Sequence, residues 1–116
     1  AVVANPGVTV PAGVARFNIG NDTLQNGAPD GVALISTASG TLIDALSYEG
    51  PMSAATITGV TGTVSLVEGT VLAATVADSN MTANSIARLP NGSDTDDATT
   101  DWRLSATPTP GAANAP

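Results

Sequence analysis

Apolar runs along the chain are short and rich in β-branched residues, Gly, Pro, Asn or Asp bounds each run, and within residues 54–76 Thr alternates with Val or Ile. Alternation with a period of two gives a strand one apolar and one polar face, and many short runs rich in β-branched residues are typical of a β-sandwich. The pattern predicts strands at residues 1–4, 14–19, 31–36, 41–48, 56–60, 63–67, 70–76, 85–89 and 102–106. Helix signals are weak, so we predict an all-β fold.

The clearest local prediction is a β-hairpin formed by residues 31–36 and 41–48. On both sides of a Thr-Ala-Ser-Gly turn, successive side chains of these runs point to alternate faces, and Gly40 supplies the positive φ that such a turn commonly needs. Asp44 lies on the same predicted face as two leucines, where an unpaired buried carboxylate would be costly. We expect a bidentate ion pair between this carboxylate and one of the three arginines: Arg16, Arg88 or Arg103.

Length and composition indicate one domain, residues 1–116, with a thin core. Of the 116 residues, 42% are hydrophobic, which is enough for a single core. Only one Phe, one Tyr and one Trp are present, so small branched side chains must fill that core, with Tyr48 and Trp102 in it or at its corners. No run approaches the roughly 20 apolar residues that a membrane span needs.

Charge and missing residue types exclude several functions. Ten acidic residues against three Arg and no Lys give a net charge of -7, which repels phosphate backbones, so we expect no direct binding of nucleic acid. Without His, Cys or Lys there is no Ser–His or Cys–His nucleophile. A paired-carboxylate hydrolase stays open on composition, but three aromatic residues can hardly line a sugar cleft. We predict no enzymatic activity and no small-molecule substrate.

The acidic composition, rich in Thr, Ser, Asn, Gly and Ala, suits an extracellular surface. The absence of cysteine does not identify a compartment by itself. We therefore expect a secreted protein on the strength of the remaining composition.

Two blocks of sequence match the pattern of a known domain family. Residues 84–114 contain a strand with a lone Arg88, an acidic turn, an aromatic strand and a closing Thr109-Pro-Gly-Ala-Ala-Asn114, and residues 24–34 and 40–48 precede them as a hairpin. In this order the two blocks resemble the closing segment and the central hairpin of bacterial lamin-tail domains. The resemblance implies an immunoglobulin-like β-sandwich of about eight or nine short antiparallel strands that binds or builds rather than catalyses. Residues 54–76 match the family least and form a candidate insertion, and we expect residues 107–116 to be an extended tail.

The opening strands of the family pattern have no counterpart before Ala1. If the resemblance holds, one or two strands are missing from the sandwich, and apolar faces and strand edges are left uncovered. Donation of a terminal strand from one subunit to the next would cover them and would build a filament. We therefore expect a homo-oligomer or homopolymer.

An acidic loop provides a candidate metal site with four carboxylates: Asp94, Asp96, Asp97 and Asp101. Calcium binds six to eight oxygen ligands, and alternate aspartates in a tight loop can converge on one ion. The spacing departs from the EF-hand pattern after Asp96, and no Glu closes the loop. The alternative is a solvated turn in which the aspartates cap backbone donors.

These features lead to a non-catalytic extracellular module, structural or adhesive, that assembles into filaments by β-strand complementation. One alternative is an accessory lamin-tail module of a secreted nuclease or phosphatase. Another is a calcium-dependent adhesion or carbohydrate-binding domain, which depends on the acidic loop alone.

Overall fold

The computed structural model describes residues 1–21, 23, 27–77, 79 and 81–116. The predicted all-β class is confirmed in outline, but these residues contain six strands where about eight or nine were predicted. The order is β1 (Val2–Ala4), β2 (Arg16–Asn18), β3 (Asp30–Ser36), β4 (Thr41–Tyr48), β5 (Ser85–Arg88), α1 (Ala98–Asp101) and β6 (Trp102–Ser105). Within the described residues, the strands form three two-stranded sheets: β1–β2, β3–β4 and β5–β6.

The first sheet corrects the prediction that all strands are antiparallel. β1 and β2 run parallel, with Val3 opposite Phe17. A parallel pair needs a crossover, and here it is an irregular loop rather than a helix. The Arg16 side chain holds that loop by donating hydrogen bonds to the carbonyl oxygens of Asn5 and Val8.

The hairpin prediction is confirmed, with β4 at its predicted limits and β3 starting one residue early. The strands are antiparallel, and a register shift between Leu34 and Ile35 leaves Ile43 without a cross-strand partner. Gly40 has the expected positive φ of 66°, and its N–H donates to the Ser36 carbonyl at 2.8 Å. The start of the second sequence block, residues 24–26, lies outside the described residues.

The prediction of strands at 56–60, 63–67 and 70–76 is wrong. This segment contains turns and one isolated bridge between Ala55 and Val64. Gly59, Gly62 and Gly69 have φ of 90°, 79° and 56°, so the backbone turns before any run can pair with a neighbour. The segment still supplies two of the most buried side chains, Leu66 and Leu72.

The core is thin, as the composition predicts. Its centre consists of Leu46, Leu72 and Ala98, and the surrounding partly buried side chains are Tyr48, Val76, Ile86 and Trp102. The predicted places of Tyr48 and Trp102 at the core are therefore confirmed. The helix α1 begins after Asp97, whose side chain accepts a hydrogen bond from the Thr100 N–H as an N-cap.

The tail, residues 107–116, is folded back rather than simply extended. The Ala112 N–H donates to the Thr109 carbonyl at 3.0 Å, and Gly111 between them has a φ of 79°. A type II turn requires a positive φ at its third position and commonly has Pro at its second, and Thr109-Pro-Gly fits both. Farther along, the Ala115 carbonyl accepts from the Ser105 hydroxyl at 2.6 Å, so the tail returns to β6.

Candidate functional site

Arg88, the arginine in the first strand of the closing sequence block, lies at the centre of the best-defined polar cluster. It ends β5 and is paired across the sheet with Trp102 of β6. Its guanidinium lies 4.9 Å from the centre of the Trp102 ring, a cation–π contact. The Arg88 side chain is only 12% exposed, so its charge needs partners from the protein.

Three carboxylates supply those partners, and each comes from a different part of the chain. Arg88 Nη2 lies 2.8 Å from Asp44 Oδ1 and 3.3 Å from Glu68 Oε2, while Nη1 lies 3.2 Å from Asp94 Oδ2. The predicted pairing of Asp44 with an arginine is confirmed, although the contact is a single one and not bidentate. We call these four residues the Arg88 cluster, and they connect β4, β5, the middle segment and the acidic loop.

The cluster holds more negative than positive charge, and the pKa shifts reflect this. Burial alone would lower the pKa of the Arg88 guanidinium, but Asp44, Asp94 and Glu68 outweigh it and hold that pKa above its ordinary value. Burial, with the carboxylate of Asp44 nearby, raises the pKa of Glu68. The other oxygen of Glu68, Oε1, accepts the backbone N–H of Ala45 at 3.1 Å.

The closing Asn114 binds the backbone of the same strand. Its side-chain amide donates to the Arg88 carbonyl at 3.1 Å, and its own N–H donates to Asn91 Oδ1 at 2.7 Å. The turn at Thr109 to Ala112 places Asn114 there. The sequence motif therefore corresponds to a physical contact between the tail and the Arg88 strand.

The four aspartates of the predicted calcium site have different protein partners. Asp94 pairs with Arg88, and Asp97 caps α1 and accepts hydrogen bonds from the N–H and the hydroxyl of Thr70. Asp101 is fully buried and accepts hydrogen bonds from the N–H and the hydroxyl of Thr95 at 2.7 and 3.0 Å. Asp96 is exposed.

Asp97 and Asp101 thus accept hydrogen bonds from backbone N–H groups, as in the capping alternative, but Asp101 is buried and not part of a solvated turn. Among the described residues, no group of three or more acidic side chains is arranged to hold a metal ion. Hydrogen bonds from Thr99 and Thr70 lower the pKa of Asp97, and the Thr95 N–H does the same for Asp101. Calcium binding at Asp94, Asp96, Asp97 and Asp101 stays a prediction.

An apolar groove lies beside the Arg88 cluster, between the hairpin and the β5–β6 sheet. It has a volume of about 350 Å³ and is lined by Val32, Leu34, Leu46, Tyr48, Ile86 and Trp102, with Asp44 at its wall. Val32 and Leu34 on β3 are 55% and 58% exposed, although both are large apolar residues. The groove therefore exposes to solvent a surface of the kind that proteins normally cover.

Sequence reasoning missed the role of Glu68 and did not choose among the arginines. A signal for Glu68 was present, because it is the one charged residue in the otherwise uncharged segment 54–76. Its side chain accepts a backbone N–H of β4 where a neighbouring strand would do so. The groove could not be found from sequence, since it depends on how two separate sheets pack.

Comparison with protein-family models, curated proteins and solved structures gives no match. The lamin-tail resemblance therefore rests on the residues quoted for it. Among the described residues, no helix is both long and apolar enough to pass through a membrane.

Proposed function

We propose that the chain is a non-catalytic structural or adhesive β-module of an extracellular surface, and that it assembles with copies of itself by β-strand complementation. The observation that carries the proposal is the pairing of the sheets: within the described residues each strand has one edge that no other strand pairs. An exposed strand edge beside apolar side chains is a template for another strand.

The proposed architecture of the assembled form is the immunoglobulin-like sandwich of lamin-tail domains. Three separate two-stranded sheets are short of the three or more strands that a sheet needs for stability on its own. Strands added from a neighbour would widen these sheets. The Arg88 cluster supports a mechanical role, because its carboxylates are engaged in holding four chain segments together.

Sedimentation velocity over a wide concentration range, with negative-stain electron microscopy of the same samples, tests the proposal. We expect species that grow with concentration and filaments with a regular axial repeat. A monodisperse monomer of 11.3 kDa at every concentration would overturn self-assembly and would favour the accessory-module hypothesis.

A further inference from the structure

A second apolar surface lies on the β1–β2 sheet, at a distance in sequence from the groove. Val3 and Phe17 are opposite each other in the register, so they share one face of this ribbon. They are 59% and 60% exposed, as much as Val32 and Leu34 of the groove. The molecule therefore has one exposed apolar ribbon and one exposed apolar groove.

The two surfaces differ in charge. Residues 1–21 contain Arg16 and no acidic residue, while all ten acidic residues and the other two arginines lie in residues 22–116. The groove borders the Arg88 cluster, where three carboxylates surround one guanidinium. Arg16 lies on the opposite face of the ribbon from Phe17, so its charge acts through the surrounding field rather than by a direct ion pair.

One polar group of the groove lining also suits a polypeptide as the occupant. Trp102 lines the groove, and its buried Nε1 is a donor with no acceptor among the described residues. A docked strand brings carbonyl oxygens as acceptors together with apolar side chains. Val32 and Leu34 of β3 line the same groove, and β3 has one edge that no described strand pairs.

We infer that the β1–β2 ribbon of a second copy of this chain docks in the apolar groove, with Val3 and Phe17 against Val32 and Leu34. The inference rests on the proposed self-assembly and names its two contact surfaces. Because the ribbon and the groove are different surfaces, the contact is head-to-tail and each added copy exposes a new groove.

The absence of cysteine allows a direct test by disulfide cross-linking. Phe17→Cys and Leu34→Cys chains are mixed and mildly oxidised, and mass spectrometry identifies the linked peptides. Ile43→Cys is the matched control, because Ile43 belongs to the same hairpin, is 61% exposed and does not line the groove. A disulfide forms only where the two Cα atoms come within several ångströms, so we expect at least about tenfold more 17–34 than 17–43 product.

Val32→Lys and Ile43→Lys give a second, independent measurement by sedimentation. Both changes are at exposed positions of the hairpin, and circular dichroism checks that both variants fold. We expect Val32→Lys to reduce assembly and Ile43→Lys to leave it unchanged. Assembly without an excess of 17–34 product, or with 17–17 product dominant, would overturn the docking inference and leave the proposed function standing. Monomers under all conditions would overturn both.

Discussion

The β3–β4 hairpin and the segment 54–76 have the same kind of sequence pattern and different structures. Both consist of short apolar-rich runs from which the sequence predicts strands, but the hairpin forms two paired strands and the segment forms turns with one bridge. In the hairpin, one tight turn at Gly40 brings the two runs together. In the segment, Gly59, Gly62 and Gly69 turn the backbone every few residues. An apolar run thus supplies side chains to the core, whereas pairing with a neighbour is needed to make a strand.

The irregular segment is nevertheless anchored at several points. Leu66 and Leu72 are buried, and Glu68 binds both Arg88 and the Ala45 N–H of β4. Glu68 therefore does for β4 at one position what a neighbouring strand would do along its length. Side-chain anchors replace a hydrogen-bonded ladder, and the following substitutions test how much each anchor contributes.

Arg88→Met should have the largest effect, because it removes the cation shared by the hairpin and the segment. Removing one partner of a buried ion pair leaves the other charge uncompensated, which typically costs about 3–5 kcal/mol of stability. We expect the free energy of unfolding to fall by about 3 kcal/mol, the low end of that range, because Asp44 and Asp94 are partly solvated. Urea unfolding followed by Trp102 fluorescence measures it.

Arg103→Met is the matched control, since Arg103 is exposed and, within the described part of the chain, donates only to the backbone carbonyls of Thr99 and Trp102. Its effect should stay within about 0.5 kcal/mol. Equal losses for the two arginines would contradict the central role of the Arg88 cluster.

Leu72→Ala should have the second largest effect on stability, and it tests whether the irregular segment 54–76 belongs to the core. Leu72 is in the buried cluster with Leu46 and Ala98, so the truncation leaves a cavity and should cost about 2.5 kcal/mol. The neighbouring Val71 is exposed, and Val71→Ala should cost less than about 0.5 kcal/mol. If urea unfolding gave similar losses of stability for Leu72→Ala and Val71→Ala, the segment would be only loosely packed against the core.

Prediction from sequence succeeded where a residue's neighbours are local. The hairpin, β1, β5 and β6 were found because their apolar residues and the turn residues that bound them lie within a few positions of each other. The ion pair of Asp44 was predicted from the cost of burying a carboxylate, but its partner required the packing of β4 against β5. Glu68 and the groove depend on contacts between distant segments, and no short-range pattern specifies those.

The contact of the middle segment with the acidic loop is tested by Gly69→Ala. Gly69 has a φ of 56°, and an added Cβ would lie 2.7 Å from the Asp96 carbonyl oxygen. Steric overlap adds to the backbone strain, so we expect Gly69→Ala to lower the free energy of unfolding by about 2 kcal/mol. At Gly59 the φ is 90° and nothing lies within 4 Å of a Cβ, so Gly59→Ala should cost about 1 kcal/mol from strain alone. A larger loss at Gly59 would contradict this account.

The smallest effect concerns pH and distinguishes Asp97 from its neighbour Asp96. The folded pKa of Asp97 lies below the ordinary value of 3.8, so its contribution is present above about pH 4 and is lost as the pH falls further. Glu68 affects the pH dependence of stability in the opposite direction, because its raised pKa makes ionisation in the folded protein unfavourable.

Asp97→Asn should therefore flatten the fall of the unfolding free energy between about pH 4 and pH 2, measured by urea unfolding at each pH. The amide still caps α1, so the variant is expected to fold. Asp96→Asn is the control: its side chain is exposed, and no hydrogen bond to it is found among the described residues. Asn also tolerates the φ of 56° at this position. Asp96→Asn should therefore change the unfolding free energy slightly at every pH and leave its fall between about pH 4 and pH 2 as steep as in the wild type. If both variants kept the wild-type slope, the hydrogen bonds that Asp97 accepts from Thr70 and Thr99 would not stabilise its ionised form in the folded protein.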